Sequence, residues 1–517
     1  MKRALLLLVL IVAAAMILPA AGKTEAAATA RTISVYDGLW ENIATFVEDL
    51  GGTPLYTELQ RRTGIEVEWV HPPAGGDQEF FNLMIAADDL PDAIYRSWTG
   101  YPGGPQKALD DRVIIELNDI IAENAPNFNA LMAANPDWDK GARTDAGTQY
   151  MFPFIRGHGS LLVFFGPALR ADWLDELNLD VPVTLDDWET VLTAMRDQKG
   201  IQGPLTMTGF ASGGRQVKTG PAWVSAFGIR MDFYRENNVV KFGQYEPAYR
   251  EFLELFRRWY ANGLIDPEFI TNDNPAFNAK VLNDRAGAFL GYSGSNIGVF
   301  LDGKRDDPNF DLVAAPYPVR RAGETPFSGQ RDFPLPGQGL AITGAARNPA
   351  LVAEWADYAY GAEGHMLFNF GIEGESYNMV DGFPQYSDVI FNNPNWGVAN
   401  GLGMYTRAVY SGPIVQDERY IVQYLGRDQQ RDALEKWFQT DAETNIMPPV
   451  TPTPQESQRL SAIMTEVNTY ADEMFVRFIV GDEPLSNFDQ YRAQLRRMGV
   501  EEAIAIQQAA LDRFNAR

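Results

Sequence analysis

The sequence of 517 residues contains no cysteine and three histidines, His71, His158 and His365. The absence of cysteine excludes disulfides, cysteine-ligated zinc, iron–sulfur clusters and thiol nucleophiles. A metal site of several histidines would require all three, which are far apart in the sequence, to converge. We therefore expect neither a metal site nor a cofactor.

Basic residues are also scarce. The chain has 43 Lys plus Arg against 68 Asp plus Glu, a formal net charge of −25 at pH 7. Such a surface repels polyphosphate, and no stripe of Lys and Arg reverses the sign locally. We therefore expect no nucleic-acid partner.

A long apolar run occurs only at the N-terminus. Residues 1–3 are basic at positions 2 and 3, residues 4–18 carry no polar side chain, and residues 19–22 are small or proline. This order is typical of a secretory signal peptide, and the run is shorter than the about 20 residues that a membrane-spanning helix needs. A lipoprotein signal would add a cysteine. We therefore predict a signal peptide over residues 1–22 and a secreted, periplasmic protein, with an uncleaved anchor as the alternative.

From residue 31 the hydrophobic pattern alternates between strands and helices. Residues 32–36, 65–70 and 91–95 are predicted strands, and residues 53–63 and 78–87 are predicted helices between them. The β-α-β-α-β order favours an open parallel sheet with helices on its faces, which is an α/β fold. Ligands of such sheets meet the carboxyl ends of the strands.

Five segments follow one another in a recognisable order. They are residues 63–67 (TGIEV), 89–94 (DLPDAI), 170–174 (RADWL), 182–188 (PVTLDDW) and 371–377 (GIEGESY). Together they resemble the family 1 extracellular solute-binding proteins of ABC importers, in the large-ligand branch that includes alginate-oligosaccharide receptors. The resemblance implies a two-lobe, type II-like periplasmic-binding-protein fold in which each lobe is an open sheet flanked by helices. The two lobes are joined by hinge strands, expected near residues 152–156 and 337–340.

This resemblance also implies how the chain is divided and what it does. Lobe one is predicted over residues 31–155 and 338–405, and lobe two over residues 156–337 and 406–517. The implied protein is a monomer without enzymatic activity, which closes about a hinge on an oligosaccharide and delivers it to the permease subunits of an ABC transporter.

The sequence departs from the alginate-type members at one loop. Those members carry an Asp/Asn-rich calcium loop after the helix that corresponds to the one containing Trp188. Here residues 196–204 read RDQKGIQGP, in which Asp197 is the carboxylate. One carboxylate cannot supply the six to eight oxygens that calcium takes, so we expect no metal there.

A glycan cleft combines aromatic faces for sugar rings with polar groups for hydroxyls. Aromatic and polar residues of this kind follow predicted strands or lie in irregular segments. The candidate ligand contacts are Tyr36, Asp37, Trp40, Trp98, Arg156, Trp223, Tyr292, Ser293, Glu373, Tyr377 and Trp396. For each aromatic residue, packing in a core is the alternative.

Two other functions remain open from the sequence. A secreted glycoside hydrolase or lyase would share the signal, the aromatics and the acidity, but it would require two carboxylates facing one cleft. Adjacent pairs such as Asp186-Asp187 diverge in direction, so we predict no catalytic residues. The same fold could also carry a peptide or another polar solute.

Overall fold

The computed structural model describes residues 31–40, 43–73, 75–209 and 222–517. The predicted signal peptide therefore lies outside the described residues. The strands, in chain order, are β1 (Thr32–Tyr36), β2 (Glu66–Val70), β3 (Ala93–Ser97), β4 (Phe152–Pro153), β5 (Ile155–Arg156), β6 (Phe165–Arg170), β7 (Leu205–Thr206), β8 (Phe233–Glu236), β9 (Val239–Phe242), β10 (Ala288–Tyr292), β11 (Leu312–Ala314), β12 (Gln338–Ile342), β13 (Tyr377–Val380), β14 (Phe383–Tyr386) and β15 (Val415–Gln416).

The first sheet has the strand order β2-β1-β3-β12-β4. Strand β1 is parallel to β2 and β3, whereas β12 runs antiparallel between β3 and β4. Tyr36 at the end of β1 is paired with Val70 of β2 and with Ile94 of β3. The predicted parallel β-α-β-α-β unit is confirmed, and its strand ends meet at one edge.

The second sheet has the strand order β11-β6-β10-β7. Strand β6 is antiparallel to both β10 and β11, while β7 is parallel to β10. Two short hairpins, β8–β9 and β13–β14, stand apart from the sheets. Between the sheets, β5 pairs in parallel with β15, with Ile155 opposite Val415 and Arg156 opposite Gln416.

Helices cover the faces of both sheets. They are α1 (Pro54–Thr63), α2 (Asp77–Ala87), α3 (Gly104–Asp110), α4 (Asn118–Asn124), α5 (Pro126–Ala134), α6 (Pro136–Gly141), α7 (Ala171–Leu177), α8 (Leu185–Lys199), α9 (Tyr249–Ala261), α10 (Asn274–Leu282), α11 (Val299–Gly303), α12 (Pro349–Tyr358), α13 (Ala362–Phe370), α14 (Asp388–Phe391), α15 (Val398–Tyr405), α16 (Glu418–Tyr424), α17 (Asp428–Phe438), α18 (Ala442–Asn445), α19 (Pro454–Val480), α20 (Phe488–Met498) and α21 (Val500–Ala516).

Helix α8 shows how the sequence sets these boundaries. Thr184 is its N-cap, and the side chains of Thr184 and Asp187 form a reciprocal capping box. The helix ends at Gly200, whose φ of 74° is left-handed and therefore favours glycine. None of the helices among the described residues has the length and apolar character needed to cross a bilayer.

Each sheet has its own hydrophobic core, and we call the unit around the first sheet lobe one and the unit around the second sheet lobe two. The core of lobe one extends to Ala408, Ile414 and Tyr420, whereas Ala433 and Trp437 belong to the core of lobe two. The segment from Ala408 to Tyr420 thus packs with the core of lobe one.

Candidate functional site

A cavity of about 620 Å³ lies between the two lobes, beside the β5–β15 pair. The lining side chains are mainly aromatic or carry hydroxyl and amide groups. Those with aromatic, polar or charged groups are Phe154, Arg156, Ser160, Phe164, Tyr292, Ser293, Ser295, Asp332, Gln338, Tyr410, Ser411, Gln416, Tyr420 and Tyr424. The volume falls within the about 300 to 1,000 Å³ of small-ligand sites.

Arg156 is held at the cavity wall by a carboxylate, an amide and two aromatic rings. Its Nε and Nη2 donate to Oδ2 of Asp332 at 3.1 and 2.9 Å, and its Nη1 donates to Oε1 of Gln416 at 3.2 Å. Its Cζ lies 5.0 Å from the ring centroid of Phe164 and 5.3 Å from that of Phe154. The charge of Arg156 is therefore compensated and its direction is fixed.

Tyr292, the last residue of β10, forms the aromatic wall of lobe two. Its ring stacks on Phe164 with a centroid distance of 5.9 Å and an interplanar angle of 7°, and it meets the edge of Phe165 at 4.9 Å. Its backbone N–H donates to Oδ1 of Asn296 at 2.8 Å. These contacts fix the ring where the strand opens into the cavity.

Ser293 follows Tyr292 and is tied to helix α17. Its hydroxyl donates to the carbonyl of Gln430 at 2.7 Å, and Nε2 of Gln430 donates back to the carbonyl of Ser293 at 3.1 Å. Because its proton is used within the protein, Ser293 mainly fixes the turn that presents Tyr292.

Tyr410 forms the opposite wall and rests on Trp40. The two rings are parallel within 9°, with centroids 3.8 Å apart. Cζ of Arg407 lies 4.1 Å from the centroid of the same Trp40 ring. Two groups this close to one centroid must lie on opposite faces, so both faces of the half-buried Trp40 ring are covered and the ring supports Tyr410 from behind.

Asp37 and Arg407 form a buried ion pair behind this stack. Nη2 of Arg407 lies 3.0 Å from Oδ2 of Asp37, and the side chains are 0% and 9% exposed. Burial raises the pKa of the Asp37 carboxyl, and the charge of Arg407 opposes that effect. Nδ1 of His71 bonds the carbonyl of Asp37 at 2.7 Å and Nε2 of His71 accepts the N–H of Leu50 at 3.2 Å, which fixes the end of β1.

Of the residues predicted from the sequence, Arg156, Tyr292 and Ser293 line the cavity. Asp37 and Trp40 lie behind the cavity wall as described. Tyr36 is fully buried, and its hydroxyl donates to Oδ1 of Asp77 at 2.5 Å.

Trp98 and Trp223 lie in hydrophobic cores rather than in the cleft, which corrects their predicted position. Trp98 is fully buried, and its Nε1 donates to the carbonyl of Gly339 on β12 at 3.2 Å. Trp223 is fully buried in lobe two and packs edge to face on Trp188 and Trp259. In both cases the large apolar ring is buried against other core side chains.

The three predicted residues near the end of lobe one also lie away from the cavity lining. Glu373 is exposed, Tyr377 is 5% exposed and packs on Phe370 at 6.0 Å, and Nε1 of Trp396 donates to the carbonyl of Val389 at 3.1 Å.

Several lining residues were not predicted. Tyr420 and Tyr424 are four residues apart, so the 3.6-residue period places both on one face of α16, where their rings stack at 6.5 Å. The four-residue spacing could therefore have identified these two tyrosines as neighbours on one helix face. Phe164, Tyr410 and Asp332 lie in irregular segments, where no helix or strand periodicity indicates which side chains face a cavity.

The loop after α8 does not fit a calcium ion. The carboxylate of Asp197 is paired with Arg196, with Nε and Oδ1 2.6 Å apart. Among the described residues, no group of three or more acidic, histidine or cysteine side chains converges in a way that suits a metal. The residues present therefore differ from a calcium-binding loop.

The cavity offers binding groups rather than a pair of catalytic carboxylates. Among its described lining residues, Asp332 is the carboxylate, and it is engaged by Arg156. Glycoside hydrolysis uses two carboxyl groups that flank one bond, about 5 to 9.5 Å apart. The arrangement suits recognition of a ligand with apolar faces and hydroxyl groups.

Comparison with known proteins identifies relatives along most of the chain. A family model described as bacterial extracellular solute-binding protein matches residues 44–366. The fructooligosaccharide ABC transporter substrate-binding protein FusA of Streptococcus pneumoniae is 23% identical over 479 residues, which cover 89% of this chain and 86% of FusA. Lipoprotein LipO of Bacillus subtilis is 24% identical over 343 residues, 64% of this chain and 65% of LipO.

Solved structures show the same fold. Alginate-binding protein AlgQ2 without calcium ion has a TM-score of 0.74 at 23% identity, covering 93% of this chain and 98% of AlgQ2. FusA in complex with kestose has a TM-score of 0.74 at 21% identity, covering 94% of this chain and 99% of FusA. The predicted two-lobe periplasmic-binding-protein fold is thereby confirmed.

Proposed function

The chain belongs to the family of bacterial extracellular solute-binding proteins, and from this premise we propose that it captures an oligosaccharide between its lobes and delivers it to an ABC permease. The observation that carries the proposal is the composition of the cavity, in which Tyr292 and Tyr410 face one space with hydroxyl and amide side chains. Sugar rings present apolar faces to aromatic rings and hydroxyls to polar groups. The relative FusA, described as a fructooligosaccharide transporter component, supports a saccharide.

Closure of the two lobes is the proposed mechanism of capture. Tyr292 belongs to lobe two, while Tyr410 and Tyr420 belong to the segment that packs with lobe one, so a ligand in the cavity contacts both. A ligand with contacts to both lobes stabilises the closed state over the open one. The β5–β15 pair beside the cavity is the proposed hinge.

The rival of a glycoside hydrolase or lyase has less support. It would require a second carboxylate opposite Asp332, and the described lining does not supply one. A peptide or other polar solute is a different cargo for the same fold. A thermal-shift panel of neutral and acidic oligosaccharides, peptides and amino acids, followed by product analysis of each hit, separates these functions.

The residues proposed to contact the ligand are Arg156, Tyr292 and Tyr410. Replacing Tyr292 or Tyr410 with alanine removes a stacking face and should weaken binding by about 1 to 2 kcal/mol, which is roughly 5- to 30-fold. Tyr358→Ala on α12 is the matched control, because that ring lies outside the cavity lining. Calorimetry with the tightest-binding saccharide of the panel measures the affinity of each of the three variants. An equal loss of affinity in the control and in the Tyr292 and Tyr410 variants would reject the assigned site.

The protein is proposed to be exported, released by cleavage after its N-terminal apolar run and monomeric. The chain has no cysteine for acylation, unlike a lipoprotein. Mass spectrometry of the periplasmic protein should find an N-terminus between residues 23 and 31, and light scattering should give the mass of one chain. An intact Met1 in the membrane fraction would contradict cleavage.

A further inference from the structure

The charges of the described cavity lining cancel within the protein. Among the described lining residues, Arg156 and Asp332 carry the formal charges, and their Nη2 and Oδ2 atoms are 2.9 Å apart. We infer that the ligand is an uncharged oligosaccharide and that the site discriminates against sugars bearing carboxylate or sulfate groups. This inference rests on the proposed saccharide function and narrows its substrate class.

The Arg156–Asp332 pair is not available to an anionic ligand. Nε and Nη2 of Arg156 are engaged by Asp332, and Nη1 donates to Gln416. An acidic sugar at this place would have to displace Asp332 from the guanidinium or accept repulsion from it. A guanidinium has five N–H donors, so donors remain for the hydroxyl oxygens of a neutral sugar.

Asp332 is itself fixed by its surroundings. Its backbone N–H donates to the carbonyl of Leu162 at 2.8 Å, and its Oδ1 accepts from Nε2 of Gln330 at 3.3 Å. Oε1 of Gln330 in turn accepts the N–H of Phe164 at 2.9 Å. Displacing the Asp332 carboxylate from Arg156 would also break its hydrogen bond from Gln330, which opposes the entry of an acidic sugar.

The charges just behind the wall cancel too. Asp37 and Arg407 neutralise each other at 3.0 Å beneath the Trp40–Tyr410 stack. The chain as a whole carries a formal charge of −25, which repels anions at long range. The paired local charges therefore offer an acidic ligand no net attraction, and the overall charge repels it.

The test uses the full exported chain and calorimetry. The panel contains maltotetraose, cellotetraose, mannotetraose and nystose as neutral probes, and tetragalacturonate and tetramannuronate as acidic probes. Two derivatives of the neutral probe that binds most tightly are then compared. In the first derivative the primary hydroxyl groups are oxidised to carboxylates, and in the second these carboxylates are converted to carboxamides. Carboxamide and carboxylate have nearly the same size, so their comparison isolates the charge.

We expect a neutral probe to bind best and the carboxylate derivative to bind at least about tenfold more weakly than the carboxamide. The gap should narrow as salt is raised, because screening weakens repulsion. In Asp332→Asn, the ratio of carboxamide to carboxylate affinity should fall, since one negative charge is removed. The comparison in the unaltered protein needs no variant and stands even if Asp332→Asn does not fold.

Three outcomes would overturn the inference. Tighter binding of tetragalacturonate or tetramannuronate than of every neutral probe would reject neutrality while leaving the proposed saccharide function intact. Equal affinity for the carboxylate and carboxamide derivatives would also reject discrimination against charge while leaving the proposed saccharide function intact. Binding of no saccharide, with a peptide or amino acid hit in the panel, would reject the proposed function and this inference together.

Discussion

Asp37 at the end of β1 and Arg407 after α15 form an ion pair inside lobe one, with Oδ2 and Nη2 3.0 Å apart. Arg407 also covers the face of Trp40 that is turned away from Tyr410. The Nε of Arg407 donates to the carbonyl of Ser411 at 2.8 Å, next to Tyr410 in the chain. This pair therefore connects the end of the first strand to the wall of the cavity.

We expect Arg407→Met to destabilise the protein strongly. Removing one partner of a buried ion pair leaves the other charge uncompensated and costs about 3 to 5 kcal/mol. Urea unfolding at pH 7 measures the loss. Arg459→Met is the control, because Arg459 pairs with Glu502 on the surface and should have little effect. Similar unfolding midpoints for the two variants would contradict the assigned role of Arg407.

Trp98→Ala should act on stability rather than on binding. The ring is fully buried and lies 6.2 Å from Phe81 and 6.3 Å from Tyr101. Removing such a ring from a core costs about 3 to 5 kcal/mol. Ligand affinity, measured at a temperature where the variant is folded, should change less than about threefold. A large loss of ligand affinity without a loss of stability would show that Trp98 contacts the ligand.

Asp92 should make stability depend on pH in the acid range. Burial alone would raise the pKa of its carboxyl, but hydrogen bonds from Arg347 and Ser34 outweigh burial and lower the pKa to about 2. Because the folded pKa lies below the unfolded value of about 3.9, the stabilisation is complete above pH 4 and is lost as the pH falls through about 2. Its size is about 1 to 2 kcal/mol, since Arg347 is exposed and its charge is screened.

Asp92→Asn tests this contribution. The variant should be less stable than the unaltered protein at pH 7, and the difference should shrink as the pH is lowered to about 3. Asp482→Asn, at an exposed position, controls for the loss of one negative charge. A difference between Asp92→Asn and the unaltered protein that stays constant with pH would contradict the pKa assignment.

Much of the fold could be predicted from the sequence because it depends on local periodicity. Alternation in residues 65–70 and the apolar face of residues 53–63 gave the parallel unit around β1, and Thr184 marked the start of α8.

The site was predicted less well, because a buried and a ligand-facing aromatic residue carry the same local signal. Trp98 follows β3 and Tyr292 ends β10, yet the first is enclosed by its own lobe and the second faces the other lobe. That difference depends on packing between distant segments.

Chelation should leave stability and affinity unchanged. In lobe two the Nζ of Lys280 lies 2.7 Å from Oδ2 of Asp266 and 2.8 Å from Oδ1 of Asn272. The ammonium group of Lys280 is therefore the cation that these oxygens bind. Melting curves with and without EDTA should superimpose. A drop of several degrees that calcium restores would reveal a metal site elsewhere in the chain.

Gly157→Ala should disturb the β5–β15 pair, which is the proposed hinge, whereas Gly159→Ala should not. A Cβ at Gly157 would lie 2.6 Å from the carbonyl oxygen of Gln416 and 2.8 Å from Cγ1 of Val415, but a Cβ at Gly159 would meet nothing within 4 Å. The first change must therefore move β5 away from β15, and overpacking of this kind costs about 1 to 3 kcal/mol. Because Arg156 on β5 donates to Gln416 on β15 at the cavity, the same movement should also weaken ligand binding. Urea unfolding and calorimetry on both variants measure the two effects, and unchanged affinity in Gly157→Ala would show that closure does not require this close approach of the strands.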